Sequence, residues 1–183
     1  MKIVALCGSL RRDSLNRKLL KALAARAPEG VEVEVAELHG IPVYDGDLEG
    51  EAFPEAVTAL QDRIAACDGL LIGSPEYNGG VPGPLKNGID WCTRGGRMQE
   101  VFGGRPVALC GATPGGGGTR HGQQSWLQTF RVLGVDPWTA GQLYVARAGS
   151  LFDDDGGITD ARTERHIAGF IEGFVAFVRA RTE

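Results

Sequence analysis

Cysteine is scarce in this chain, and none of it is clustered. Cys7, Cys67, Cys92 and Cys110 stand far apart, with no CxxC and no zinc-like spacing, which argues against redox-motif and zinc-ribbon readings. Two of them sit inside apolar runs, where a free thiol behaves as a small hydrophobe, so buried, reduced thiols in a cytoplasmic protein are expected. The three histidines, His39, His121 and His166, are scattered without ligand spacing, and no metal site is expected. A long basic run is also missing, and the formal net charge is −4, so nothing favours a nucleic-acid partner. The apolar run that begins the chain stops at Gly8, too short to span a membrane and without the cleavage site of a signal peptide; no membrane partner is expected. Neither GxGxxG nor GxxxxGK[ST] occurs, which disfavours a classical dinucleotide fold or a bound triphosphate. No Ser-His-Asp or Cys-His arrangement supports hydrolysis. Asp153-Asp154-Asp155-Gly156 lacks the alternating carboxylates and terminal Glu of a calcium loop and reads as a turn before the last helix.

What is present is an alternation of strand and helix along all 183 residues, with no repeat and no linker, and a single domain 1–183 is expected. Residues 3–7 form a continuous apolar run, the mark of a parallel strand covered on both faces. Leu15, Leu19, Leu20, Leu23 and Ala27 recur at helical spacing up to Pro28 and Gly30. Val31, Val33 and Val35 alternate with glutamates, as in a strand near an edge. Residues 39–53 read as a long connection. Ala56, Val57, Leu60, Ile64 and Cys67 make the next helical stripe, and Gly69–Gly73 is an apolar third strand. Pro84 is expected to open a helix with Leu85, Ile89 and Cys92 on one face. Residues 107–110 form a fourth strand and Trp126, Phe130 and Leu133 a further helix. Residues 138–145 supply a weaker fifth strand. The last helix carries Ile167, Phe170, Ile171, Phe174, Phe177 and Val178, with Thr159 or Asp160 as N-cap. Five strands and five helices in this order predict an α/β sandwich, with a parallel sheet in the order 2-1-3-4-5 and helices on both faces.

In such sheets ligands bind beyond the carboxyl ends of the strands, which selects the loops after strands 1, 3 and 4. The first, Gly8 to Asn16, leads straight into a helix whose N-terminus attracts phosphate. Ser9 and Ser14 offer hydroxyls, Arg11 a fixed charge and a forked donor, and Asn16 either its side-chain amide or its backbone. That pocket has the scale of one phosphate monoester; alternatively Ser14 or Asp13 is an N-cap and the arginines are solvated. The second loop, Ser74-Pro75-Glu76-Tyr77-Asn78-Gly79-Gly80-Val81-Pro82, offers backbone and Asn78 to the edge of a planar ring and Tyr77 as a stacking surface, or else is an exposed turn. The third, Ala112-Thr113-Pro114 followed by four glycines, suits a flat ligand lying against main chain, or is simply flexible. Lys86 and Asp90, four apart, are expected to pair on their helix.

Gly8-Ser9-x-Arg11-x-x-Ser14-x-Asn16 resembles the phosphate loop of the NADPH-dependent FMN reductase family. Pro75-Glu76-Tyr77-Asn78, with Pro84-Leu85-Lys86-Asn87 and Asp90-Trp91, is similar to that family's second motif, and the likeness runs through nearly the whole chain. The resemblance implies a flavodoxin-like fold, bound FMN, NADPH or NADH as co-substrate, and a homodimer or homotetramer. By position, Ser9, Arg11, Ser14, Leu15 and Asn16 would hold the phosphate. Pro75, Glu76, Tyr77 and Asn78 would line the ring, with Thr113 and Gly116 from the third loop. The implied activity is reduction of quinones, chromate or azo compounds by a ping-pong hydride transfer, with no obligatory side-chain acid or base. The rival readings are a flavodoxin-type electron carrier without its own NAD(P)H turnover, and a flavin-binding sensor. No ribose-reading acid or 2′-phosphate arginine is legible, so both coenzymes stay open. Tyr44, Trp91, Arg94 and Arg120 are candidates for a subunit contact, with core burial an equal account of the tryptophan.

Overall fold

A computed structural model describes residues 1–153 and 157–182; of the acidic turn read at 153–156, Asp154, Asp155 and Gly156 lie outside the described residues. The strands are β1 (Lys2–Cys7), β2 (Glu32–Ala36), β3 (Gly69–Gly73), β4 (Pro106–Ala112), β5 (Asp136–Pro137) and β6 (Leu143–Val145). They form one sheet in the order β2-β1-β3-β4-β5, with β6 also pairing β4, and every pairing is parallel. β2 is an edge, which explains why its valines alternate with glutamates while β1 after Lys2 and all of β3 are apolar.

Strand periodicity divides the interior in two. Ile3, Ala5, Cys7, Leu71, Ala108 and Cys110 point to one core, completed by α1 (Leu15–Ala24) and α7 (Ala161–Thr182). Val4, Leu6, Leu70, Ile72 and Val107 point to the other. That second core is closed by α2 (Glu55–Ala65), α3 (Gly83–Cys92), α4 (Met98–Phe102) and α6 (Trp126–Leu133). A short α5 (Arg120–Gln124) precedes α6. All four cysteines are buried and free. Among the described residues no helix is long and apolar enough to cross a membrane.

The chain has seven α-helices and six strands among the described residues, not five of each. The fifth strand is not a continuous 138–145: it breaks into β5 and β6 because Trp138 turns inward against Phe170 and Phe174 of α7. α3 begins at Gly83 with Pro82 as N-cap, which puts Pro84 second in the helix. α1 ends at Ala24, before Pro28. Asp160, not Thr159, caps α7: its carboxylate accepts from the Thr163 N–H at 2.7 Å, whereas the Thr159 hydroxyl donates to the Ser150 carbonyl.

Candidate functional site

The ladder runs one residue past the strand ends. The Gly8 N–H donates to the Gly73 carbonyl and the Ser74 N–H to the Cys110 carbonyl, both at 2.9 Å. The loops after β1, β3 and β4 therefore leave the sheet side by side. Gly8 is tightly enclosed there, since a Cβ on it would lie 2.9 Å from Pro75 and 2.5 Å from Leu85.

In the first loop Ser9 and Ser14 are buried and Arg11 and Arg12 exposed. Ser14 is the N-cap of α1, its oxygen accepting from the Arg17 N–H at 3.1 Å. Its hydroxyl also lies 3.8 Å from the buried Cys7 Sγ, and with the thiol as donor in that contact the Ser14 proton is left for a ligand. The Ser9 hydroxyl proton is uncommitted, since its oxygen only accepts a long 3.4 Å contact from the Arg11 N–H. Helical geometry leaves the N–H groups of Leu15 and Asn16 without intrahelical acceptors, and the first turn of α1 carries no acid to offset its positive end. Arg17, which the sequence did not distinguish from its neighbours, shapes the loop. Its guanidinium donates to the carbonyls of Arg11 (2.8 Å) and Arg12 (2.6 Å) and pairs with Glu37. Burial pushes the Glu37 carboxyl up, but the hydrogen bond and charge of Arg17 more than offset this and hold it below the ordinary range. Arg11 and Arg12 have no carboxylate partner among the described residues.

Asn16 has a second task. Its amide donates to the Ala112 carbonyl and its oxygen accepts from the Ala112 N–H, both at 3.0 Å. The side chain is thus committed to tying the first loop to the third, and the donor it leaves for a ligand is its backbone N–H.

The second loop is held from behind. The Trp126 indole donates to the buried Ser74 hydroxyl at 3.0 Å, which donates in turn to the Pro75 carbonyl. The Glu76 carboxylate accepts from the Gly122 N–H of α5 at 2.9 Å, so it positions the loop against α5. Asn78 and Gly79 have φ of 53° and 75°, and Tyr77 and Gly80 exchange both backbone hydrogen bonds (3.3 and 3.0 Å), which is a type I′ turn. It leaves the Tyr77 ring 44% exposed.

The third loop is anchored through backbone: Thr113 N–H to the Val145 carbonyl, and the Arg147 N–H to the Gly115 carbonyl. Gly118 abuts Tyr144, but a Cβ at Gly116 or Gly117 would meet nothing within 4 Å, and neither has a positive φ. Neither steric pressure nor backbone conformation within the chain calls for glycine there. Bare main chain facing open space is what a flat ring laid against it would use, so the donor set and this surface fit FMN. Lys86 and Asp90 do pair, at 2.6 Å. Trp91 is fully buried and its indole donates to the Pro42 carbonyl. Among the described residues no group of three His, Cys, Asp or Glu could hold a metal ion.

The model of the family described as NADPH-dependent FMN reductase matches residues 1–150. The chain is 36% identical over 181 residues to a 2-hydroxy-1,4-benzoquinone reductase of a Burkholderia species, covering 99% of this chain and 98% of that protein. It is 34% identical to an NAD(P)H-dependent FMN reductase of Pseudomonas aeruginosa, covering 98% and 96%. Among solved structures it is similar to FerB, a flavoenzyme NAD(P)H:(acceptor) oxidoreductase from Paracoccus denitrificans, with a TM-score of 0.89, 34% identity and coverage of 98% and 97%. With a flavodoxin-like sheet, three loops converging at its carboxyl edge and relatives of this kind along its whole length, the chain belongs to the NADPH-dependent FMN reductase family, oxidoreductases that use FMN with NAD(P)H as co-substrate.

Proposed function

We propose that this protein, as one FMN-binding unit over residues 1–183, is a quinone reductase that passes electrons from NAD(P)H to a quinone or a similar small acceptor, such as an azo compound or chromate, by ping-pong kinetics. The observation that carries the reading is the open, side-chain-free surface of Gly116 and Gly117 beside a helix N-terminus with two buried serine hydroxyls. FMN, when bound, would supply the hydride- and electron-transfer chemistry.

The chain's own residues bind and orient. Ser9, Ser14, the N–H groups of Leu15 and Asn16 and the Arg11 guanidinium hold the phosphate. Pro75 to Asn78 line the ring, Glu76 through its grip on α5 and Tyr77 through its exposed face. Thr113 and Gly116 close the third side. We assign no obligatory proton donor to the chain, and the acceptor and the coenzyme share one open cleft in turn. Removing the charge at Arg11 is expected to weaken FMN binding by about 1.5–3 kcal/mol, the scale of hydrogen bonds to charged groups, read as a flavin-fluorescence titration of Arg11→Ala. The reading itself is tested anaerobically by adding NADPH to the FMN-loaded protein and following the flavin absorbance band. Bleaching that a quinone reverses is the expected result; a flavin that binds but stays oxidised makes the protein a carrier, and failure to bind FMN removes the site.

A further inference from the structure

Two arginines at the site take no part in holding the flavin phosphate. Arg120 and Arg147 bracket the glycine-rich loop. The Arg147 N–H donates to the Gly115 carbonyl at 2.9 Å. Arg120 lies just past the other end, its guanidinium 5.1 Å from the centre of the Tyr144 ring, against which Gly118 packs so closely that a Cβ would come within 2.8 Å. Segment 115–118 thus runs along segment 144–147, with the Arg147 backbone beside Gly115 at one end of the bare main chain and the Arg120 guanidinium on Tyr144 at the other. Both arginines are exposed, and neither pairs with a carboxylate among the described residues, unlike Arg17, Arg26, Arg63, Arg97 and Arg181.

The backbone adds an independent observation. Arg147 has φ of 51°, a left-handed conformation that a branched-off Cβ disfavours and glycine adopts freely. An exposed side chain with no ion-pair partner contributes little stability to offset that strain. Among the described residues Asn78 and Thr119 also have positive φ; Asn78 is accounted for by its type I′ turn, while Thr119 ends the same glycine-rich loop. A strained conformation held by a residue whose side chain has no partner among the described residues points to a ligand.

We infer that Arg120 and Arg147 bind phosphate of the nicotinamide dinucleotide and set its affinity, separately from the flavin phosphate at α1. The chemistry suits both candidates, the bridging diphosphate of either coenzyme and the 2′-phosphate of NADPH: a guanidinium group gives forked donors to phosphate oxygens. Glu76 does not pair with these arginines, since it is committed to α5. The inference rests on the proposal that NAD(P)H reacts at this cleft.

The test uses FMN-loaded wild type, Arg147→Gly, Arg147→Lys and Arg120→Gln. Steady-state KM is measured for NADH and NADPH, alongside calorimetric binding of ADP-ribose and 2′-phospho-ADP-ribose, flavin affinity and melting temperature. Arg147→Gly and Arg120→Gln are each expected to raise coenzyme KM and weaken ribose-phosphate binding about ten-fold or more, with kcat and FMN affinity unchanged. Arg147→Lys recovers part of the loss. Arg147→Gly melts no lower than wild type because it relieves strain, a split that a structural role would not give. Loss for NADPH and 2′-phospho-ADP-ribose alone assigns the 2′-phosphate; equal loss for both pairs assigns the diphosphate. Unchanged binding and KM in a wild type that turns over, or loss of FMN affinity instead, overturns the inference while the reductase reading stands. Arginine-dependent ribose-phosphate binding without turnover leaves the inference standing and removes the reductase reading.

Discussion

Asn16 shows how one side chain can tie two loops together. Buried at 3% exposure, it satisfies both backbone groups of Ala112. Asn16→Ala leaves a buried N–H and a buried carbonyl unpaired, each at about 1–3 kcal/mol. An unfolding free energy lower by about 2–4 kcal/mol is expected in urea titration; a loss below about 1 kcal/mol would mean that water replaces the amide. The motif spacing singled out Asn16, but its partner lies in the third loop, and no local pattern connects the two. Arg17 was illegible for a related reason: it is one of several arginines in the segment, and only the fold shows that its guanidinium turns back on the loop. The cysteines were legible, because a thiol in an apolar run is buried for the same reason its neighbours are. Burial pushes Cys7, Cys67 and Cys110 up and Cys92 up to about 12, so at pH 8 the thiols are neutral as well as inaccessible. Native protein is expected to react with no thiol reagent at that pH, and to expose four reactive groups in urea; one fast-reacting thiol in the folded state would contradict this.

Elements were legible where their period was clean. β1, β3 and β4 are apolar runs because helices cover both faces, and α1 and α7 carry stripes wide enough to read. The fifth strand was misread because burial of Trp138 against α7 outweighs strand continuity, and a tryptophan in a run gives no hint of which way it will turn. Glutamates in β2 were read correctly as edge residues, and the structure gives one of them a function in holding that edge. Glu34 bonds Lys2 of β1 at 2.8 Å and Arg63 of α2 at 2.5 Å, and the hydrogen bond from Lys2 leads the causes that hold its carboxyl below the ordinary 4.5. A carboxyl depressed in the folded state contributes stability above its unfolded pKa and loses it as pH falls through the folded value. Wild type is therefore expected to lose this contribution progressively below about pH 4.5, and Glu34→Gln to lack it at every pH. The pairs are partly exposed, so the difference at pH 7 is about 1 kcal/mol or less. Parallel stability curves for the two proteins from pH 7 to pH 3 would show that the edge is held by packing alone.

At the scale of the whole molecule, the unexplained feature is an apolar stripe on the surface beside α3. One cavity is lined by Leu10, Leu38, Ile41 and Val43, and a second by Met98, Val132 and Leu133; Lys86 and Asp90 border both. Val43 is 85% and Val132 70% exposed, so these side chains contribute nothing to the core described above. Tyr44 and Arg94 meet on the same side, with the guanidinium 5.0 Å from the ring centre. The sequence offered Tyr44, Arg94 and Arg120 as contact residues through resemblance; it could not offer Val43 with Val132, because they become neighbours of α3 only when the sheet is assembled. Two apolar patches separated by a single charge pair, Lys86–Asp90, favour association more than scattered apolar residues do, and we propose that this face joins subunits of a homodimer or homotetramer. Light scattering is expected to give two or four times the 19.4 kDa of the chain. Val43→Asp with Val132→Asp should shift it to the monomer with the fold intact, since both side chains are already in water. The driving term is apolar burial, so raising the salt should not dissociate the assembly, whereas an interface of charges would weaken. A wild-type monomer at tens of micromolar would leave the stripe free, and its place beside Leu10 of the first loop would make it a candidate contact for the electron acceptor instead.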